Sequence, residues 1–144
     1  MIDDIINDIN SGGITYDVIG KQNLGGQKLY SVSPYHELTT KIKGSKATLS
    51  NIADFLEQNI DYIVKSKHAL GGWYNKKTDT LYLDISVVTP DKILAKDIGK
   101  KANQVAIFDL NKFKDIPTGG TGEVNGVLST FEDRINFIDS LFRK

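Results

Sequence analysis

Cysteine is absent from all 144 residues, which excludes disulfides, thiolate nucleophiles and thiolate metal ligands and fits a reducing compartment. Histidine occurs only at His36 and His68, too few for an imidazole-rich metal centre. No net charge is present, 18 basic residues balancing 18 acidic ones, so the chain is not a dedicated nucleic-acid binder by composition. No apolar run approaches the roughly 18 residues of a membrane span. The acidic opening MIDDIINDIN lacks the basic start of a secretory signal. The expectation is a cytoplasmic protein without membrane association.

The length is that of a single domain, 1–144, large enough to bury a core without staples. Charge is unevenly spread. Residues 1–62 carry 5 Lys and 8 Asp/Glu (−3), residues 63–118 carry 10 Lys and 6 Asp (+4), and residues 119–144 carry 3 Lys/Arg and 4 Asp/Glu (−1). The surface is polarised, the middle of the chain being basic.

Ile2, Ile5, Ile6 and Ile9 recur at helical spacing, and Ser11-Gly12-Gly13 ends that helix. Ile14 to Ile19 alternates as a strand, and Lys28 to Ser33 reads as its hairpin partner. Leu38 to Ile42 is a candidate edge strand. Thr48 to Val64 carries the strongest helical stripe: Leu49, Ile52, Ala53, Leu56, Ile60, Ile63 and Val64. Near the C-terminus, Ser129-Thr130-Phe131-Glu132 has capping-box spacing, ahead of a stripe of Phe131, Ile135, Ile138 and Phe142.

The densest information lies between Ala69 and Glu123. Leu70–Tyr74 and Thr80–Val88 flank the polar loop Asn75–Asp79 and read as a hairpin, with Leu81, Leu83, Ile85 and Val87 on its core face. Thr89 and Pro90 fit the cap and first position of a helix that reaches about Ala102, with Leu94, Ile98 and Ala102 on its stripe. Asn103 suits a left-handed stop. Gln104–Leu110 is a further strand, parallel or antiparallel to the hairpin, and Lys112–Val127 is irregular. The pattern predicts an α+β fold, with about five mostly antiparallel strands in one sheet and about four helices.

Gly71-Gly72-Trp73-Tyr74, Leu83-Asp84-Ile85-Ser86, Asn103–Asp109 (NQVAIFD), Pro117–Gly122 (PTGGTG) and Tyr30–Pro34 (YSVSP) together resemble a small domain that recurs in proteins of bacteriophages and other mobile elements, including large polyvalent phage proteins. The resemblance covers roughly residues 28–123. It implies a phage or mobile-element origin, hence a host cytoplasm or virion location. No activity is attached to the family, so the resemblance transfers no catalytic residue.

Gly119-Gly120-Thr121-Gly122 has the composition of a phosphate-cradling loop. Glu123 stands where a P-loop has Lys, no strand leads straight into it, and the next helix begins only near Ser129. A flexible connection is the expected role. Asp84 and Asp109 lie on predicted strands and form a carboxylate pair if those strands are neighbours, the minimum for a metal-dependent enzyme. Against this stand a solvated sheet face and a turn-capping Asp. His68, His36 and the sole tryptophan, Trp73, read as structural, Trp73 as a core anchor.

Lys92, Lys96 and Lys100 recur every four residues on one helix face. Three charges over about 12 Å match few phosphates, so an acidic protein surface is the expected counterpart and nucleic acid the disfavoured one. Phe55 and Tyr62 beside the long helix's stripe, and Phe137 on the last helix, are candidate interface aromatics. These features point to a non-enzymatic binding protein without cofactor or metal. Its partner would be a host protein surface, as for an anti-defence inhibitor, with a virion structural or cargo protein as the alternative. An enzyme using Asp84 and Asp109 is the third reading. Oligomeric state is left open.

Overall fold

The computed structural model describes residues 2–123 and 128–142. In chain order the elements are α1 (Ile2–Ser11), β1 (Ile14–Asp17), β2 (Gln22–Asn23), β3 (Tyr30–Val32), a 3-10 turn (His36–Leu38), β4 (Thr40–Lys43), α2 (Leu49–Gln58), α3 (Ile60–Ile63), β5 (His68–Asn75), β6 (Thr80–Thr89), α4 (Lys92–Lys101), β7 (Ala106–Asp109), β8 (Lys114–Pro117) and α5 (Phe131–Phe142). The class is α+β with antiparallel pairing, as expected. The described residues hold eight strands and five α-helices rather than about five and four.

The chain divides into two compact units, Met1–Leu24 with Leu38–Ile85, and Gly25–Glu37 with Ser86–Lys144. In the first, β2, β1, β5 and the start of β6 lie side by side, and β4 also pairs with β6. Ile5 and Ile9 of α1 are buried as the spacing dictates. The α1 helix lies so close to β5 that a Cβ on Gly72 would meet Ile9 Cδ1 at 2.9 Å, which is why the strand has no side chain there.

The long helix departs from expectation. It is interrupted at Asn59, whose side chain donates to the Phe55 carbonyl (2.9 Å) while its backbone leaves the helical region (φ −119°, ψ 19°). The buried face is also offset from the expected stripe, running through Ile52, Phe55, Asn59 and Ile63. Ile52, Phe55 and Ile63 are in the core, whereas Leu49 is 57% exposed and Ile60 and Val64 also face outward. The candidate interface residue Phe55 is therefore core, at 2% exposure. The end of α2 begins as the sequence implies, with Thr48 and Asn51 forming a reciprocal cap.

In the second unit the end of β6 pairs with β3, β3 with β7 and β7 with β8. Two expectations fall here. The Lys28–Ser33 segment is not the hairpin partner of β1; as β3 it pairs with β6 (Ser31 with Val88) and β7 (Ser31 with Phe108). The stretch after Leu110 is not wholly irregular, because Lys114–Pro117 pairs with β7. The rest of that irregular stretch, 124–127, lies outside the described residues. Helix α4 is capped by Asp91, whose carboxylate accepts from Leu94 N–H (3.1 Å), while Thr89 stays in β6 and accepts from Asp91 N–H (3.2 Å). Asn103 does adopt the left-handed conformation (φ 58°).

Candidate functional site

The second unit contains an open cleft of about 650 Å³ lined by Lys28, Lys92, Lys112 and Lys114, together with Tyr30, Asp109 and Asp115. One wall is the turn between β7 and β8. Asp109 builds it. Its Oδ1 accepts from the N–H groups of Asn111 (2.9 Å) and Lys112 (3.0 Å), and its carbonyl accepts from Phe113 N–H (2.8 Å). The hydrogen bond from Lys112 holds the Asp109 carboxyl below its ordinary pKa; burial opposes this, and the Asn111 bond and the charges of Lys112 and Lys114 reinforce it. The turn is tied from behind, because Asn111 Nδ2 donates to Gly26 O (2.9 Å) and Gly26 N–H donates to Leu110 O (2.7 Å).

This clamp holds Phe113 in the left-handed region (φ 54°), a conformation disfavoured for an aromatic residue, with 63% of its surface exposed. Lys112 and Lys114 flank it. Ile93, next to Lys92 on α4, is 82% exposed. A fixed apolar knob among lysines suits a protein contact, because the ordering entropy of the turn is already spent. Four lysines against two aspartates leave the cleft lining cationic.

Of the expected lysine stripe, Lys92 lines the cleft. Lys100 is exposed further along α4, and Lys96 is half-buried. Lys101 is engaged elsewhere: it pairs with Asp97 (3.0 Å) and lies 4.5 Å over the Phe137 ring. Phe137 is thus a half-buried contact between α5 and α4. Tyr62 is half-buried on α3. Asp84 and Asp109 are not on neighbouring strands, since β3 stands between β6 and β7, and Asp109 is the turn cap. Among the described residues no group of three or more His, Asp or Glu side chains is placed to hold a metal ion.

The glycine loop is neither a phosphate cradle nor a slack connection. Three of its four N–H groups are already used: Gly120 donates to Thr118 Oγ1 (3.4 Å), Thr121 to Asn103 Oδ1 (3.0 Å) and Gly122 to Asn103 O (2.8 Å). Asn103 Nδ2 closes the clasp on Thr121 Oγ1 (2.6 Å) and Glu123 O (3.0 Å). A Cβ on Gly120 would lie 2.2 Å from Gln104 O and 2.7 Å from Asn103 C, both backbone atoms that cannot swing away. Gly120→Ala should therefore lower stability by about 1–3 kcal/mol, the range for overpacking. Gly12→Ala, where the new Cβ meets nothing within 4 Å, should leave the melting curve nearly unchanged. Equal curves for the two variants would refute the clasp.

Comparison with known protein families, characterised proteins and solved structures returns no match. The cleft's chemistry rests on its own geometry. His36 is structural as expected, its Nε2 lying 3.1 Å from Ala102 O at the end of α4 and its ring beside Gln104. Phe113, Ile93, Lys28, Lys112 and Lys114 escaped the sequence reading. The one signal for them was the run Asp109-Leu110-Asn111-Lys112, which marks a side-chain-capped turn.

Proposed function

We propose that the protein is a non-enzymatic binding module that docks an acidic protein surface on its second unit, with Phe113 as the apolar anchor and Lys28, Lys92, Lys112 and Lys114 as the cationic surround. The observation that carries this reading is the exposed Phe113 held at φ 54° by the Asp109 turn, beside a cleft lined by those four lysines. An aromatic anchor within a ring of polar contacts is the usual composition of an interface hot spot. The resemblance to phage and mobile-element domains makes a host protein the first partner to test, as an inhibitor would require. A metal-dependent enzyme draws no support from Asp109, which caps a turn.

The test measures association and dissociation rates for a partner captured from host lysate. Reversing Lys28, Lys92, Lys112 and Lys114 to Glu should slow association about tenfold or more at low salt, with little change in dissociation. Phe113→Ala should speed dissociation instead. Full capture by the charge-reversed variant, or loss of the partner on nuclease treatment, sinks the proposal.

A further inference from the structure

The first unit carries an aromatic row that the cleft does not involve. Trp73 on β5 and Tyr82 on β6 stack with ring centroids 4.8 Å apart and planes 10° from parallel. Lys41 on β4, paired in register with Tyr82, lies 5.8 Å from the centroid of the tyrosine ring. The expectation of a core tryptophan fails here, since Trp73 is 43% exposed. The reason lies on the side of β1. Ile14 pairs with Gly72, which brings Gly13 beside Trp73, its ideal Cβ position only 3.2 Å from Trp73 Cβ. Neither Gly12 nor Gly13 has a side chain to lay against the indole. The row thus runs lysine, tyrosine, tryptophan, and stops at an indole face with no glycine side chain over it.

The charges around this row are ordered. Lys43 follows Lys41 on β4 toward the end of the hairpin, in register with Thr80, and Lys76 and Lys77 are exposed in the hairpin loop itself. Asp84 lies two residues from Tyr82 in the other direction. Asp79, in the loop, accepts the Tyr74 hydroxyl. Lys41 is two strands from the indole, roughly 10 Å, and Lys76 follows Trp73 by three residues just past the end of β5, again roughly 10 Å at most. That is several times the rise of about 3.4 Å per stacked nucleotide. The lysines consequently sit where phosphates of flanking nucleotides fall, not that of the stacked base itself.

We infer that this face binds single-stranded nucleic acid, one base stacking on the Trp73 indole and the neighbouring phosphates meeting Lys41, Lys43, Lys76 and Lys77. Stacking platforms backed by lysines are a sequence-tolerant way to hold a single strand. This is the partner class set aside when only the α4 lysines were considered. The indole plane is fixed in advance by Tyr82, so a base meets an ordered surface.

Because Trp73 is the only tryptophan in the chain, its fluorescence reports directly on its own face. The probe is a short oligothymidylate, titrated at low salt by indole quenching and, with a labelled strand, by anisotropy. Quenching is expected, with affinity about tenfold or more weaker in Trp73→Ala and largely kept in Trp73→Phe. Lys41→Gln with Lys43→Gln should flatten the salt dependence. Phe113→Ala and Lys92→Glu, which act on the other unit, should bind the strand like the parent, so failure here is separable from failure of the protein-docking proposal. Absence of quenching at millimolar oligonucleotide overturns the inference, as does unchanged affinity in a folded Trp73→Ala variant. Equal binding of duplex, or of thymidine monophosphate as tightly as the oligonucleotide, overturns the assignment to a strand.

Discussion

Phe55→Ala is expected to cost about 3–5 kcal/mol, the range for removing a buried phenylalanine. The side chain is 2% exposed and shares the core of its unit with Ile52 and Ile63, so truncation leaves a cavity that the surrounding strands and helices cannot fill by relaxing. Leu49→Ala, on a residue 57% exposed in the same helix, should stay within about 0.5 kcal/mol, as surface changes do. Urea unfolding of the two variants decides the matter. A larger loss at Leu49 than at Phe55 would restore the stripe expected for Thr48–Val64 and refute the burial of Phe55.

The second large effect concerns Arg134, the bulkiest fully buried side chain among the described residues, at 1% exposure. Its Nη2 donates to both carboxylate oxygens of Glu37, and Nη1 donates to the carbonyls of Leu128 and Ser129, each at 3.0 Å. Its Nε has no hydrogen-bond partner among the described residues. Glu37→Ala strands a buried cation and should cost about 2–4 kcal/mol. That is below the full range for a buried pair, because 41% of the Glu37 side chain remains in water. Arg134→Met should cost less, since the carboxylate left behind is hydrated. The reverse ranking in thermal melts would mean that the pair, rather than the stranded charge, dominates.

The same pair sets an acid dependence. Burial alone raises the Glu37 pKa, but the hydrogen bond and charge of Arg134, with smaller help from the Glu37 backbone and His36, outweigh it and leave the carboxyl below its ordinary 4.5. A carboxyl whose folded pKa is depressed stabilises the fold above its unfolded pKa, and that contribution disappears as pH falls through the folded value. Stability should therefore decline as pH drops below about 4.5, and the decline should be shallower in Glu37→Ala. Identical slopes would show that other groups govern acid unfolding. Tyr35, buried at 1%, has its pKa pushed far up, first by desolvation and then by Asp139, so its ionisation bears only on alkaline conditions.

Much of the local structure was legible because it is encoded locally. The isoleucine spacing of α1, the β5–β6 hairpin around Asn75–Asp79 and the left-handed stop at Asn103 each rest on residues near one another in sequence. Partner choice was not legible. Nothing in Tyr30-Ser31-Val32 says that its neighbours are β6 and β7 rather than the preceding strand, because the deciding contacts are far along the chain. The interruption of the helix from Thr48 was missed for a related reason: Asn59 is a helix-compatible letter until its side chain finds the Phe55 carbonyl. At the candidate site the lysines of α4 were visible as a pattern. The cleft itself combines Lys28, Lys92, Lys112 and Lys114 from separate segments, and concavity has no sequence period. Exposure of Trp73 was equally hidden, since an aromatic residue on a strand reads as core whichever way it faces, and Phe113 lay in a stretch read as irregular.

The placement of β3 sets a timetable for synthesis. Tyr30 pairs with Thr89 on one side and Asp109 on the other, residues made 59 and 79 positions later. At about 5–20 residues per second, the segment waits some 3–16 s with both edges open. Over that interval its N–H and C=O groups are free to take a wrong strand. The brevity of β3, only three residues, and the lysine and proline that bracket it, Lys28 and Pro34, limit what a competing chain can grip while the nascent protein waits for its own partners.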